Sequence, residues 1–448
     1  MRRCLIAGTG SGCGKTTVVC GIMQAMKDRG LRVSAFKCGP DYIDPMFHRR
    51  VTGTAAYNLD GFFCDDERLG FLLAEGSRGA DVSVIEGVMG YYDGGEGSAH
   101  SLARRTGTGA VIVIDCRGMM DSIGAVMKGF LTYREESCIE GFIFSRLPGR
   151  LLPEVKRLCE ELGTVCYGHM PVTEAVIESR HLGLVTAGEI EGLREKLSEL
   201  GRLAQENIDI DGLLRLTGGE PEGKAPEIKR TEGRVRIAVA RDRAFCFIYE
   251  ENLRLLEKMG CETVFFSPLE DRELPECEGI LLYGGYPELY AQWLTLNERM
   301  LRSIRSAAAR GVPIIAECGG AMYLREWLED PQGRRCEMAG VLPGGSRSMG
   351  RLTNFGYAEL RAESDGLLLK KGETVKIHEF HYWDSEMAGS DFTAIKKGRE
   401  PRRCGYHTPN LYAGFGHIYF YSDIKTAERF VAACAAYGER NGNSSKGR

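Results

Sequence analysis

The chain holds 448 residues, 43% of them hydrophobic and 27% charged, with 58 Lys and Arg against 62 Asp and Glu for a formal charge of −4. At roughly 150 residues per domain this is length for two or three domains with cores of their own, so a peptide hormone or a small disulfide scaffold is excluded. The balanced charge supplies no basic field for nucleic acid, and no apolar run approaches the ~20 residues of a membrane span, so neither is an expected partner.

Short apolar strands alternate with helical patterns from the start: Cys4–Ala7, Val33–Phe36, Val82–Ile85, Ala110–Ile114 and Gly141–Ser145. This rhythm predicts a parallel α/β sheet. The apolar stretch behind Met1-Arg2-Arg3 ends at Gly8, too short for a secretion signal. Sixteen cysteines without any C-x-x-C spacing read as reduced thiols, and together these features predict a cytoplasmic protein. Periodicity fails over residues 207–233, rich in Gly, Pro and charge, where we expect a linker. A second α/β series follows in Val235–Ala240, Cys261–Phe266, Gly279–Tyr283 and Pro313–Ala316. The expected domains are therefore 1–206 and 234–437, with a disordered polar tail over 438–448.

The first strand runs into Gly8-Thr9-Gly10-Ser11-Gly12-Cys13-Gly14-Lys15-Thr16-Thr17 and a helical pattern. Strand, glycine loop and helix together predict a P-loop: backbone N–H groups turned on phosphate oxygens, Lys15 as a point charge and the Thr16 hydroxyl for Mg²⁺. Five residues separate Gly8 from Gly14, where the strict Walker A pattern has four, so a variant loop is expected. Candidate nucleotide contacts are Gly10, Ser11, Gly12, Gly14, Lys15, Thr16, Thr17 and Lys37.

The second strand continues into Lys37-Cys38-Gly39-Pro40-Asp41-Tyr42-Ile43-Asp44-Pro45. Two acids three apart suit Mg²⁺, which takes one or two protein carboxylates beside phosphates. Pro40 and Pro45 are expected to hold Gly39 and Asp44 extended in a loop. The third strand delivers Glu86, a Walker B-type partner, with Asp115 after the fourth as a positional rival or a helix cap. The expected metal set is Thr16, Asp41, Asp44 and Glu86.

In the second half, Ile314-Ile315-Ala316-Glu317-Cys318-Gly319-Gly320 sets a cysteine between an apolar strand and a helix. That is a nucleophile elbow, whose helix N-terminus is expected to favour thiolate. Gly284 and Gly285 after another strand, with Gly319, are candidate oxyanion donors. His417 is the preferred base, with His378, His381 and His407 as weaker options.

Taken in this order, the two sites resemble the cobyrinic acid a,c-diamide synthase family, a P-loop amidoligase fused to a class I-like glutamine amidotransferase. The specific pieces are Lys37–His48, Glu86–Gly94, Arg180-His181-Leu182-Gly183-Leu184, Ala240–Leu256, Gly284–Ala291, Glu317–Leu324 and His378-Glu379-Phe380-His381-Tyr382. The resemblance implies amidation of the a- and c-acetate groups of cobyrinic acid, with ATP and Mg²⁺, through acyl phosphates. L-glutamine would supply ammonia through Cys318 and His417, and a homodimer is compatible with this reading. A carboxylate is a poor electrophile and ammonia is mostly protonated at neutral pH, so joining the two activities in one chain is chemically economical.

Three departures stand out: Tyr419 occupies the place of the triad Glu two residues after His417, Ser145 that of an Asn contacting the base, and Ile377 that of a glycine. No third triad member is visible. Hydrogenobyrinic acid and nickel sirohydrochlorin remain alternative substrates, and a partitioning-type P-loop switch is a reading of another class, one with no use for Cys318.

Overall fold

Seven strands, β1 (Arg3–Gly8), β2 (Val33–Cys38), β3 (Tyr57–Leu59), β4 (Val82–Glu86), β5 (Ala110–Asp115), β6 (Ile139–Ser145) and β7 (Val165–Met170), build the first sheet in the order β3-β2-β4-β1-β5-β6-β7. All are parallel. β1, β2 and β4 are buried along their whole lengths, as their continuous apolar runs require of a sheet covered on both faces. Because β2, β4 and β1 are neighbours, the loops leaving them open at one carboxyl edge, where α/β sheets bind ligands. Helix α1 (Lys15–Asp28) and helix α2 (Ile43–Thr52) start from that edge.

The computed structural model describes residues 1–175, 177, 192–221 and 223–445. The segment Arg180–Leu184 lies outside them. The chain divides into two units, Met1–Pro226 and Glu227–Arg448.

In the second unit, β8 (Val235–Ala240), β9 (Cys261–Phe266), β10 (Gly279–Leu282) and β11 (Ile314–Glu317) share a sheet with strands Leu411–Gly414 and Tyr406–Thr408. All pair in parallel except the edge strand Tyr406–Thr408. Ile280, Leu282, Ile314 and Ala316 form the middle of its core. From Trp327 onward the α/β rhythm stops, and two largely antiparallel sheets take over, the larger one centred on Asn354–Ala362 and Thr374–His381. These two strands are long but only partly buried, so they lack the continuous apolar runs of the parallel sheets. Ile377, in a glycine's expected place, is an ordinary buried strand residue paired with Ala358 and Ile418.

Three expectations are corrected. The first third of the 207–233 segment is folded: Asp209 caps the helix Ile210–Arg215 by accepting from the Gly212 N–H at 2.8 Å, and Ile210 and Leu213 are buried. The tail is helical rather than disordered over most of its length, because the last helix, packed from Ile424 onward, continues to Ser445; extending an existing helix is far cheaper than nucleating one. Finally, Asp44 lies in the first turn of α2, and Gly39 is left-handed at φ +79° instead of extended. Asp41 Oδ1 accepts from the N–H groups of Ile43 at 2.9 Å and Asp44 at 3.3 Å, which starts the helix despite Pro45.

Candidate active sites

In the phosphate loop, Gly12 and Gly14 take left-handed φ values of +75° and +87°, which opens the turn between β1 and α1. A Cβ at Gly14 would also stand 2.5 Å from Ser145 Oγ, so glycine is needed there for space as well as for backbone angle. Cys13 folds back against Gly8, which accommodates the extra residue of the variant spacing. Ser11 and Gly12 face solvent and Gly10 is half-buried. The Lys15 ammonium is buried and donates to the Met89 carbonyl at 2.8 Å. Burial and then the nearby Lys37 push its pKa down. Thr17 turns away from the loop, its hydroxyl accepting from the Ile177 N–H at 3.3 Å.

Below the loop lies a buried cluster of opposite charges. Thr16 donates to Glu86 Oε1 at 2.8 Å, and to Asp44 Oδ1 at 3.4 Å. Lys37 sits between the acids, 2.5 Å from Asp44 Oδ2, 3.3 Å from Glu86 Oε1 and 3.9 Å from Asp41 Oδ2. It is thus engaged with carboxylates, not presented to a nucleotide. Burial would push the Glu86 carboxyl up, but Lys37, His48 and Lys15 outweigh it and hold the group below the usual carboxylate range. His48, which sequence reading passed over, lies 2.6 Å from Glu86 Oε2 through Nε2; its α2 position and the acid at the end of β4 were both legible, but their meeting depends on the fold.

Asp115 is a different site, because its carboxylate pairs with Arg146 at 2.6 Å and Arg117 at 2.9 Å. Of the two acids, only Glu86 meets the P-loop threonine, which makes it the candidate for the Walker B position. Asp41 stands further back with its Oδ1 spent on the start of α2. Among the described residues no three His, Cys, Asp or Glu side chains make a self-sufficient metal site. Thr16, Asp44 and Glu86 instead offer a partial shell of oxygens beside a phosphate loop, which is the donor set Mg²⁺ uses when phosphates and water complete it.

In the second unit, Cys318 is buried and follows β11 directly with φ +47°, a strained angle for a residue carrying a side chain. Such strain marks a nucleophile elbow. The surroundings oppose the expected bias toward thiolate. Burial first, and then the charge of Glu288, pushes the thiol well above its ordinary pKa, against which only the Gly319 N–H acts. The helix behind it, Gly319–Tyr323, has five residues and therefore a weak dipole.

His417 is buried on the strand His417–Ile418, which pairs with His378–Ile377. A Cβ at Gly284 would stand 2.5 Å from His417 Cε1, 3.3 Å from its Nε2 and 3.4 Å from Cys318 Cβ. Nucleophile and base thus abut one bare glycine. Gly285 is equally confined, its missing Cβ 2.2 Å from the Ala244 carbonyl, and its N–H lies against Gly319. The three glycines therefore share one corner, as an oxyanion hole requires. Two of the weaker options are engaged elsewhere, His381 Nδ1 lying 2.6 Å from the Trp383 carbonyl and His407 Nε2 accepting from the Leu368 N–H at 3.1 Å, while His378 stands opposite His417 in the strand pairing.

A further residue enters the site unforeseen. Glu317, buried at the end of β11, reaches His417 Nδ1 with Oε2 at 3.3 Å and accepts from the Ile418 N–H with Oε1 at 3.1 Å. Its signal in the sequence is an acid closing an otherwise apolar strand.

Comparison with known proteins matches a domain in each half of the chain. Residues 4–185 match the CobQ/CobB/MinD/ParA nucleotide binding domain, and residues 236–424 match the CobB/CobQ-like glutamine amidotransferase domain. A cobyrinate a,c-diamide synthase of Caldanaerobacter subterraneus is 38% identical, covering 97% of this chain and 99% of the relative. Relatives of the same name in Salmonella typhimurium and Thermoplasma volcanium are 39% and 37% identical, over 96% and 98% of this chain. The amidotransferase domain sets the partitioning-type switch aside and shows a glutamine-dependent amidating ligase. No helix among the described residues is long and apolar enough to cross a membrane.

Proposed function

The chain belongs to the cobyrinate a,c-diamide synthase family, and from that membership we propose that it amidates the a- and c-acetate carboxylates of cobyrinic acid, using ATP and L-glutamine, through acyl phosphates. The observation that carries the reading is the presence in one chain of two complementary chemistries: the Thr16, Asp44, Glu86 and Lys37 cluster under a phosphate loop, and the Cys318–His417 pair about Gly284. Neither alone makes an amide from a carboxylate.

In the second unit, His417 takes the thiol proton as Cys318 attacks the carboxamide carbon of glutamine. The N–H groups about Gly284, Gly285 and Gly319 receive the charge that develops on the carboxamide oxygen. The carbon–nitrogen bond breaks, the proton goes from His417 to the departing nitrogen, and water then cleaves the glutamyl thioester to glutamate and free thiol.

In the first unit, Lys15 releases the Met89 carbonyl and pairs with the phosphates of ATP. Thr16, Asp44 and Glu86 would hold Mg²⁺, which when bound neutralises phosphate charge. The substrate carboxylate takes the γ-phosphoryl group and ADP leaves; ammonia then attacks the acyl carbon and phosphate departs. Lys37 keeps Asp44 and Glu86 close together while the cluster exchanges partners. Every one of the sixteen cysteines is a free thiol, which suits a cytoplasmic setting for this reaction.

The test is mass spectrometry of cobyrinic acid, hydrogenobyrinic acid and nickel sirohydrochlorin incubated with the parent protein or Cys318→Ala, each with glutamine or ammonia. We expect two ATP-dependent amidations of cobyrinic acid, lost with glutamine and kept with ammonia in Cys318→Ala. Glutamine-driven product from that variant overturns the nucleophile assignment, and preference for another tetrapyrrole overturns the substrate.

A further inference from the structure

We propose that Glu317 is the positioning residue that sets the tautomer of His417, the part a triad acid plays, supplied from the residue immediately before the nucleophile. The proposal rests on the reading of Cys318 and His417 as the glutamine-cleaving pair.

The two oxygens of Glu317 have separate tasks. Oε1 accepts from the Ile418 N–H at 3.1 Å, which ties the carboxylate to the strand carrying the base, and Oε2 lies 3.3 Å from His417 Nδ1. A carboxylate at that place accepts a hydrogen bond, so Nδ1 carries the ring proton and Nε2 keeps its lone pair. Nε2 and Cε1 are the atoms beside Gly284, the glycine that Cys318 Cβ also abuts. The lone pair is therefore on the side of the ring that shares Gly284 with Cys318.

A base is needed because the thiol is buried, which favours its neutral form. It must hand its proton to His417 Nε2, and the imidazolium so formed is a charge in a site where the ring is about 1% exposed. Glu317, itself 1% exposed, pairs with that charge until the proton passes to the departing ammonia. The usual triad position two residues after His417 holds Tyr419, whose ring packs against Tyr249 at 4.9 Å and provides no carboxylate.

Glu317→Gln separates this role from a structural one. Its carbonyl oxygen must stay on the Ile418 N–H, since the amide NH₂ there would meet another donor; the NH₂ then faces His417 Nδ1. The ring is forced to carry its proton on Nε2, where it no longer accepts one from Cys318. In the full-length protein we expect glutamine hydrolysis to lose about 100-fold or more in kcat with KM little changed, by analogy with triads held in the wrong tautomer. Nitrogen NMR of histidine-labelled protein should show the His417 proton move from Nδ1 to Nε2. Glu317→Asp should recover part of the activity, and ammonia-driven amidation should stay at the parent level in both variants.

Parent-like glutamine hydrolysis in Glu317→Gln overturns the proposal. So does a loss shared with ammonia-driven amidation while the tautomer is unchanged, which would mark Glu317 as structural only. Cys318→Ala, run beside them, reports on the parent reading: if it keeps glutamine-driven turnover, that reading fails independently.

Discussion

The Thr16 hydroxyl donates to Glu86 Oε1 at 2.8 Å, joining the first turn of α1 to the end of β4. Both are buried, and the Lys37 ammonium 3.3 Å from the same oxygen completes the contact. The P-loop helix and the proposed Walker B acid are thus joined directly, with an amino group beside them doing part of what a metal cation does.

Removing that amino group leaves Asp44 and Glu86 facing each other in a buried site. Deleting one partner of a buried ion pair typically costs about 3–5 kcal/mol, because the remaining charge is left uncompensated. Lys37→Met should lower stability by that order in urea unfolding without divalent cations. Added Mg²⁺ should restore part of it, since the oxygens freed are those a hard cation takes. A variant as stable as the parent without Mg²⁺, or one that Mg²⁺ leaves unchanged, would contradict this account.

Asp41 and Asp44 look equivalent in sequence but are engaged differently. Asp44 meets Thr16 and Lys37, whereas Asp41 Oδ1 holds the N–H groups that begin α2. Asp44→Asn should reduce amidation with either nitrogen source by about 10–100-fold, the usual effect of disturbing a metal shell. Asp41→Asn keeps an oxygen acceptor and should stay within a few-fold of the parent. Equal losses in kcat would return Asp41 to the metal shell.

Glu288 gives the second unit a pH dependence of its own. It is buried, its Oε2 has no hydrogen-bond partner among the described residues, and burial raises its carboxyl from 4.5 to about 7. Between those values the folded chain holds a proton that the unfolded chain has released, so stability falls as pH rises through the interval and the penalty is complete above it. Each pKa unit is worth about 1.4 kcal/mol, which puts the full effect on the order of 3 kcal/mol. Glu288→Gln, unable to ionise, should therefore be more stable than the parent near pH 8 and close to it near pH 5. The crossing is measured by urea titration at both pH values; parallel curves would mean that Glu288 is not protonated in the fold.

Much of this was legible from local pattern. β1, β4 and β11 carry apolar runs, and the segments that close or leave them hold Lys15, Thr16, Glu86 and Cys318, which the fold brings to the two candidate sites. What was not legible depends on which strands become neighbours. Glu317 lies beside His417 because its side chain reaches from the end of β11 to the strand His417–Ile418, a segment of another sheet a hundred positions away, an encounter no spacing reveals. The loop shape at Asp44 was misread for the opposite reason: local hydrogen bonds from the Ile43 and Asp44 N–H groups to Asp41 Oδ1 outweighed the extended bias of the prolines. The motif shows the elbow and hides how deeply the thiol is buried, which opposes the expected bias toward thiolate.

Gly284 offers the sharpest test of how the second site is assembled. A single methyl group there would stand 2.5 Å from His417 Cε1, inside van der Waals contact, and 3.4 Å from Cys318 Cβ, an ordinary contact. The nucleophile could stay while the base has to move, and His417 is enclosed, with Glu317 at Nδ1 and the Phe247 ring centroid at 6.4 Å. Gly284→Ala should therefore push the imidazole away from the thiol and not the thiol from the imidazole. Since a misplacement of about 1 Å can cost on the order of 100-fold in rate, glutamine hydrolysis should fall by that factor. Amidation driven by ammonia draws on Lys15, Thr16, Asp44 and Glu86 and should not change. The two activities, measured side by side on the same preparation, decide it: a common loss would mean damage to the fold, and no loss would mean that His417 has room that the glycine does not need to provide.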